Sequence, residues 1–179
     1  NDLVKKAKAS GKTIVSVAVA QDREILIAIK MAYDEGIADA ILVGDADKIK
    51  PMTREVGLPE DIRVIDEKDE DKAALIAVGL VHDSEAQVLV KGIINTSNFL
   101  RAALNKEKGL RTGNILNHFA GFEIPGARKL LFQADGGMNI APTLEEKKGI
   151  LINTVRALHA MGIEKPKVGI LTANEQVNP

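Results

Sequence analysis

One stretch of the sequence combines an apolar run with cationic and hydroxyl side chains in a spacing that suits a small anion. Residues 88–90 are apolar, Lys91 follows directly, and Thr96, Ser97 and Arg101 come within the next ten residues. The apolar run predicts a strand, and the hydroxyl side chains are typical of a helix start. Because a helix N-terminus presents N–H groups and the positive end of its dipole, we predict that these four side chains bind phosphate.

The same residues also have a purely structural explanation. Asn95 or Thr96 would cap the helix, and Arg101 would be a solvated charge one turn farther along. Arg23 presents a similar choice, since it falls in the predicted first turn of the helix after the first strand. A cation in that position is mildly unfavourable with the helix dipole, which indicates either an anionic ligand or an exposed surface arginine.

A second candidate segment is the turn at residues 135–139, which follows another strand-like run and contains two glycines. Such a turn brings backbone close to a ligand. It is not the G-x-G-x-x-G dinucleotide fingerprint, and no G-x-x-x-x-G-K-[ST] phosphate loop occurs in the sequence. A nucleotide hydrolase and a simple nicotinamide-dependent enzyme are therefore disfavoured.

Composition excludes several classes of chemistry. The 179 residues include no cysteine, which rules out a thiol nucleophile, a disulfide and a thiolate metal site. The three histidines lack the spacing of metal ligands or of a Ser-His pair, so we predict no metal and no catalytic histidine. The net charge of -1 gives no indication of a nucleic-acid partner. No apolar run approaches the ~20 residues that span a membrane, so we expect a cytoplasmic protein with no membrane partner.

Apolar, β-branched runs alternate with longer amphipathic segments through the first half of the chain, which is typical of βαβ units around a mostly parallel sheet. Helical stretches lie between the predicted strands, which cover residues 13–19, 40–43, 63–65 and 87–90. Two of the helices show apolar residues at i, i+3, i+4 and i+7, beginning at Ile25 and at Ala73. We therefore predict a three-layer, open α/β domain over residues 1–113.

The pattern changes near Gly113. Residues 114–124 and 129–133 are strand-like and are joined by a turn-rich connection, which predicts a hairpin. A long helix should follow, because Thr143 and Glu146 have the spacing of a capping box.

That helix is predicted to bury a stripe formed by Leu144, Leu151, Val155 and Leu158. Residues 167–171 read as one more strand. A hairpin, one helix and one strand bury little surface for a separate domain, so we expect residues 114–179 to be the start of a second α/β domain that is truncated at Pro179.

Four stretches carry a known pattern: KG, NTS and LR within residues 91–101, GLRTG at 109–113, LFQADGGMNIAP at 131–142, and KPKV with EQVNP within 165–179. Together they resemble the family of phosphate butyryltransferases and phosphate acetyltransferases. The resemblance implies a two-domain fold like that of isocitrate and isopropylmalate dehydrogenases, with an active site in the interdomain cleft. It also implies acyl transfer between coenzyme A and inorganic phosphate by homodimers or larger homo-oligomers, with coenzyme A as a substrate and no bound cofactor.

The resemblance assigns roles to individual residues. Arg101 matches the arginine that binds phosphate or acyl phosphate in the family, and Thr96 and Ser97 match the loop before it. Arg23 matches an arginine near the substrate cleft. Three further matches share one turn with a structural or cleft-lining role, namely Asp135, Gly137 and Asn139. The acid/base carboxylate of the family and its partner serine are expected beyond residue 179, so no catalytic residue is assigned.

The favoured interpretation is a phosphate acyltransferase with a C4-type preference, for which butanoyl-CoA and phosphate give butanoyl phosphate and coenzyme A. Acetyl-CoA as the substrate is one alternative. A chain that folds, binds phosphate or self-associates without turnover is another. A dehydrogenase of the isocitrate type is disfavoured, because the sequence has no recognisable set of metal-binding carboxylates, and fold alone does not decide function.

Overall fold

The computed structural model of the protein describes residues 2–171. The chain divides into two compact units, Asn1–Thr112 and Gly113–Pro179. The first unit begins with helix α1 (Asp2–Ala9) and then alternates strands and helices. In chain order these elements are β1 (Thr13–Ala18), α2 (Arg23–Asp34), β2 (Ala38–Gly44), α3 (Ala46–Val56), β3 (Arg63–Asp66), α4 (Glu70–His82), β4 (Val88–Lys91) and α5 (Thr96–Ala103).

The four strands form a parallel sheet in the order β3-β2-β1-β4. Each of the four strands predicted in the first unit is confirmed to within two residues at either end. Alternate side chains of the strands enter two separate cores, as a period of two requires. On one face, Val17 of β1 clusters with Leu26 of α2 and Ile49 of α3. On the other face, Ala18 clusters with Ala77 of α4 and with α5, so helices cover both faces of the sheet.

This strand order creates a switch point between β1 and β4. Helix α2 follows β1 onto one face of the sheet, whereas α5 follows β4 onto the opposite face. The connections that leave the carboxyl ends of these two neighbouring strands therefore diverge. In open α/β sheets, ligands bind in the crevice that forms at such a point.

The second unit contains strands β5 (Ala120–Phe122) and β6 (Leu131–Gln133) and helix α6 (Leu144–Ala160). The two strands pair antiparallel, so the predicted hairpin is confirmed, but β5 is much shorter than residues 114–124. The cause lies in the segment before β5, where side-chain amides bind the backbone. Asn153 Nδ2 donates to Ile115 O over 2.7 Å, and Asn139 Nδ2 donates to Leu116 O over 3.0 Å.

Helix α6 begins with the predicted capping box, in which Thr143 N donates to Glu146 Oε2 over 2.7 Å and Glu146 N donates to Thr143 Oγ1 over 3.3 Å. The predicted buried stripe is wrong at Leu144 and Leu151, which are 68% and 37% exposed. The buried face is rotated from the predicted one, toward Ile150 and Leu158. The helix packs against residue 115 through Gly149, where a Cβ would lie 2.8 Å from an Ile115 methyl carbon.

The predicted strand at residues 167–171 is also wrong, since this segment has no strand structure. Val168 and Ile170 are 52% and 84% exposed. A strand needs a neighbour for its N–H and C=O groups, and in the described part of the second unit β5 and β6 pair with each other. The sequence match at residues 175–179 lies outside the described residues. No helix among residues 2–171 is long and apolar enough to cross a membrane.

Candidate functional site

The connection from β4 to α5 is fixed to the end of β1 by backbone hydrogen bonds. Gly92 N donates to Ala18 O over 2.8 Å, and Ile93 N donates to Val19 O over 3.0 Å. The backbones approach so closely that a Cβ at Gly92 would lie 2.1 Å from Val19 O. Ile94 is buried in the core of the α4 face. The loop at the switch point is therefore held in one conformation by the protein itself.

Lys91 stabilises the same loop through its ammonium group. Lys91 Nζ donates to Ile94 O over 2.8 Å and to Gly92 O over 3.3 Å. In this conformation the side chain satisfies carbonyl oxygens of the connection. Its predicted role as a direct phosphate ligand stays a prediction.

Helix α5 is capped by Asn95 rather than by Thr96. Asn95 Oδ1 accepts hydrogen bonds from Ser97 N over 2.9 Å and from Ser97 Oγ over 2.8 Å. The first turn of α5 contains no acidic residue. The other three helices that follow strands of the parallel sheet have carboxylate caps, which are Asp22, Asp45 and Asp69. A carboxylate offsets the positive end of a helix dipole, whereas the neutral amide of Asn95 leaves that end of α5 able to attract an anion.

Arg101 lies in the last turn of α5 with an exposed side chain. Arg101 Nη2 donates to Asn98 Oδ1 over 3.3 Å. Among residues 2–171, no carboxylate forms an ion pair with this guanidinium group. The positive charge at this position is thus not offset by a described acidic side chain.

Arg23 lies at the same carboxyl edge of the sheet but in a different electrostatic setting. Arg23 Nε donates to Glu55 Oε1 over 3.1 Å, and Arg23 Nη1 lies 3.9 Å from Glu24 Oε1. Two carboxylates therefore share the charge of this arginine. Its predicted contact with substrate stays a prediction.

A third cation near this edge is also paired. Lys68 Nζ donates to Asp47 Oδ2 over 2.7 Å. This hydrogen bond lowers the pKa of Asp47 and raises the pKa of Lys68. Both charges are thereby used within the protein.

The turn after β6 is organised by the carboxylate of Asp135. Asp135 Oδ1 accepts from Gly137 N over 3.1 Å and from Met138 N over 3.0 Å, and Oδ2 accepts from Asn139 N over 3.0 Å. The Asn139 side chain donates to the same Oδ2. Burial acts to raise the pKa of Asp135, but the hydrogen bonds together outweigh it and hold that pKa at about 2. The carboxylate is therefore ionised and engaged in its own turn.

The sequence matches the family model described as phosphate acetyl/butaryl transferase over residues 1–74 and 61–179. The chain belongs to this family. The phosphate butyryltransferase of Clostridium acetobutylicum is 45% identical over 180 residues, which cover 100% of this chain and 60% of the relative. The phosphate acetyltransferase of Thermotoga maritima is 35% identical over 179 residues, which cover 99% of this chain and 60% of the relative.

Solved structures are similar to this chain in fold. A branched-chain phosphotransacylase from Enterococcus faecalis has a TM-score of 0.78 and 32% identity, over 93% of this chain and 58% of that chain. A phosphotransacetylase from Streptococcus pyogenes has a TM-score of 0.73 over 99% of this chain and 63% of that chain, and at 20% identity it supports the fold alone. The chain thus spans about 60% of the length of the curated relatives named above.

Within this member of the phosphate acetyl/butaryl transferase family, the predicted site residues fall into two groups. Five belong to the carboxyl edge of the first unit, namely Arg23, Lys91, Thr96, Ser97 and Arg101. Three belong to the turn after β6 in the second unit, namely Asp135, Gly137 and Asn139. Among residues 2–171, no cluster of three or more His, Asp or Glu side chains is arranged to hold a metal ion.

Asn98 of helix α5 is a further residue near Arg101 that was not predicted from the sequence. It lies three positions before Arg101, a spacing that puts two side chains on the same helix face. That spacing is a signal that was present in the sequence. The contact of Asn98 with α4 could be found only from the tertiary structure.

Proposed function

We propose that the protein is a phosphate acyltransferase that converts butanoyl-CoA and inorganic phosphate to butanoyl phosphate and coenzyme A. The observation that carries the proposal is the 45% identity to a phosphate butyryltransferase along the entire chain. Acetyl-CoA is the alternative substrate, and the lower identity of 35% to a phosphate acetyltransferase favours butanoyl-CoA over it. The proposal concerns the protein at the length of these relatives.

The chemistry requires a site that holds phosphate beside a thioester. A phosphate oxygen attacks the carbonyl carbon, a C–O bond forms, and the tetrahedral oxyanion collapses as the C–S bond breaks. The electron pair leaves on sulfur, and the coenzyme A thiolate then takes up a proton. Catalysis therefore depends on positioning the two substrates and on stabilising negative charge. A sequence without cysteine suits direct transfer in a ternary complex.

We assign the phosphate to the switch point in the first unit. Arg101 would bind two phosphate oxygens at once with its planar guanidinium group, and Thr96 would donate a hydroxyl hydrogen bond. Ser97 would donate one too after its hydroxyl turns away from Asn95 Oδ1. Two observations support this assignment: the neutral Asn95 cap, and the lack of a carboxylate paired with Arg101 among residues 2–171. Lys91 would act by holding the loop, through the carbonyl contacts described above.

Further parts of the proposal come from the family resemblance. They are an isocitrate dehydrogenase-like two-domain architecture, transfer in an interdomain cleft, homo-oligomeric association, and contacts to substrate from Arg23 and from the turn of Asp135, Gly137 and Asn139. We assign no catalytic acid or base to residues 1–179.

The test is release of the coenzyme A thiol from butanoyl-CoA and from acetyl-CoA, each with and without phosphate. It should be run on the 179-residue chain and on a version that spans the length of the relatives. We expect phosphate-dependent release that favours butanoyl-CoA in the longer version. A preference for acetyl-CoA would mean that acetyl-CoA, not butanoyl-CoA, is the substrate. No release from either thioester in the longer version would overturn the proposal.

The second candidate function is that of a folded phosphate-binding protein without turnover. Measurements on the 179-residue chain test it. The organised β4–α5 loop favours this candidate for the chain by itself. Phosphate binding without thiol release in both versions would establish it.

A further inference from the structure

A chain of three side chains connects helix α4 to the arginine of the proposed phosphate site. Asn98 Nδ2 donates to Asp71 Oδ1 over 2.9 Å, and Arg101 Nη2 donates to Asn98 Oδ1 over 3.3 Å. Asp71 lies in the first turn of α4, whereas the other two residues lie on α5. Asn98 is thus the link between the two helices at this point.

The chemistry of the partners fixes which way the Asn98 amide points. An ionised carboxylate only accepts hydrogen bonds, and a guanidinium group only donates them. The NH₂ group of Asn98 must therefore face Asp71, and its carbonyl oxygen must face Arg101. With this orientation both hydrogen bonds are satisfied, and with the reverse orientation both are lost.

The neutral amide also separates two opposite charges. If Asp71 bound Arg101 directly, the carboxylate would offset the charge that a phosphate group needs, as Glu55 does for Arg23. Through Asn98, the carboxylate orients the guanidinium without forming an ion pair with it. Ser97 Oγ also lies 3.5 Å from Asn98 Oδ1, so the amide oxygen faces the side of α5 that carries the proposed phosphate ligands.

We propose that Asn98, oriented by Asp71, is a positioning residue that aims the Arg101 guanidinium at phosphate while keeping its charge available. This inference rests on the proposed function. Asn98 does not contact the reacting atoms. Its effect should therefore appear in the KM for phosphate rather than in kcat or in the KM for the thioester.

The experiment compares variants at the length of the relatives, with acyl transfer and unfolding temperature measured for each. Asn98→Ala should raise the KM for phosphate about fivefold to tenfold, with kcat changed less than about twofold. This is slightly less than one hydrogen bond to a charged group contributes, because the Asn98–Arg101 bond is exposed to solvent. Asn98→Asp should raise it at least as much, because the new carboxylate pairs with Arg101. Because this change also removes the donor to Asp71, the unfolding temperature separates the two roles: a purely structural residue would lower that temperature without raising the KM for phosphate.

Glu70→Gln is the matched control, since Glu70 lies beside Asp71 in the first turn of α4. Glu70→Gln removes a negative charge beside Asp71 but leaves the Asp71–Asn98 hydrogen bond in place, so the KM for phosphate should stay unchanged. If Asn98→Ala behaves like Glu70→Gln in an active enzyme, the inference is overturned. It is also overturned if the Asn98 variants change only kcat or the unfolding temperature.

A phosphate titration of the 179-residue chain, followed by the ³¹P linewidth of inorganic phosphate, separates this inference from the proposed function. If the longer protein shows no turnover but the chain binds phosphate and Asn98→Ala weakens that binding, the acyl-transfer proposal fails and the role of Asn98 stands. If wild type shows neither turnover nor phosphate binding, both are overturned.

Discussion

The two connections at the switch point, after β1 and after β4, differ in how they treat a positive charge. After β1, the cap of α2 is the carboxylate Asp22, and Arg23 is paired with Glu55. After β4, the cap is the amide Asn95, and Arg101 contacts another amide. The two strands are adjacent in the sheet, yet a carboxylate offsets the charge of Arg23 and none among residues 2–171 pairs with Arg101. The comparison shows that a candidate anion site is distinguished by whether carboxylates offset its cations, and not by the number of cations.

The largest expected effect is on Arg101. Arg101→Ala should weaken phosphate binding about 10- to 100-fold, because one to two charge-assisted hydrogen bonds are lost. Arg23→Ala is the matched change at the other connection and should weaken binding less than about threefold. The KM for phosphate, or a ³¹P titration, measures both. Equal losses in the two variants would break the comparison.

A smaller effect, on stability instead of phosphate binding, is expected at Asp135. Its carboxylate accepts hydrogen bonds from its own turn. Asp135→Asn should lower the free energy of unfolding by about 1 kcal/mol near neutral pH, since hydrogen bonds to a partly exposed carboxylate are replaced by weaker ones. Chemical denaturation of the chain measures this difference.

The pH dependence of that difference has a definite sign. The folded pKa of Asp135 is about 2, below the ordinary value of 3.8, so its stabilisation is fully present above about pH 4 and is lost as pH falls towards 2. Asn at this position does not titrate. The difference in the free energy of unfolding between wild type and Asp135→Asn should therefore shrink as the pH falls over that range. A difference that stays constant would contradict the stabilising role given to the Asp135 carboxylate.

The smallest expected effect comes from releasing the paired arginine. Glu55→Gln removes the main partner of Arg23 and should strengthen phosphate binding by no more than about twofold, because an exposed ion pair in water is weak. Low ionic strength should enlarge the change. Weaker binding in this variant would indicate that Glu55 supports the site instead of offsetting a charge.

Local patterns were enough to predict much of the fold. The strands of the first unit are short β-branched runs, and the capping box of α6 is a four-residue signal. A helical stretch between β2 and β3 is predicted, but the bounds of helix α3 are not, and Pro51 inside it lacks a backbone donor. The helix forms because Ile49 and Thr53 are buried, and Ile49 clusters with Leu42 of the sheet, which is a tertiary effect.

The candidate site was predictable in its position but not in its charge balance. The order of residues from Lys91 to Arg101 places them on one loop and one helix. The pairing of Arg23 with Glu55 joins residues 32 positions apart and depends on the packing of α2 against α3. The adjacent Glu24 is a local sign that the charge of Arg23 is offset, but the closer partner Glu55 had to come from the structure.

The close approach of Gly92 to Val19 has a consequence for the rate at which an anion is captured. The backbone of the protein itself bonds the loop to β1, so no closing step has to follow the encounter. Association with phosphate should then be a single exponential process whose observed rate rises linearly with phosphate concentration and reaches no plateau. The phosphate site would be preformed, and the dissociation rate, more than the association rate, would set the affinity.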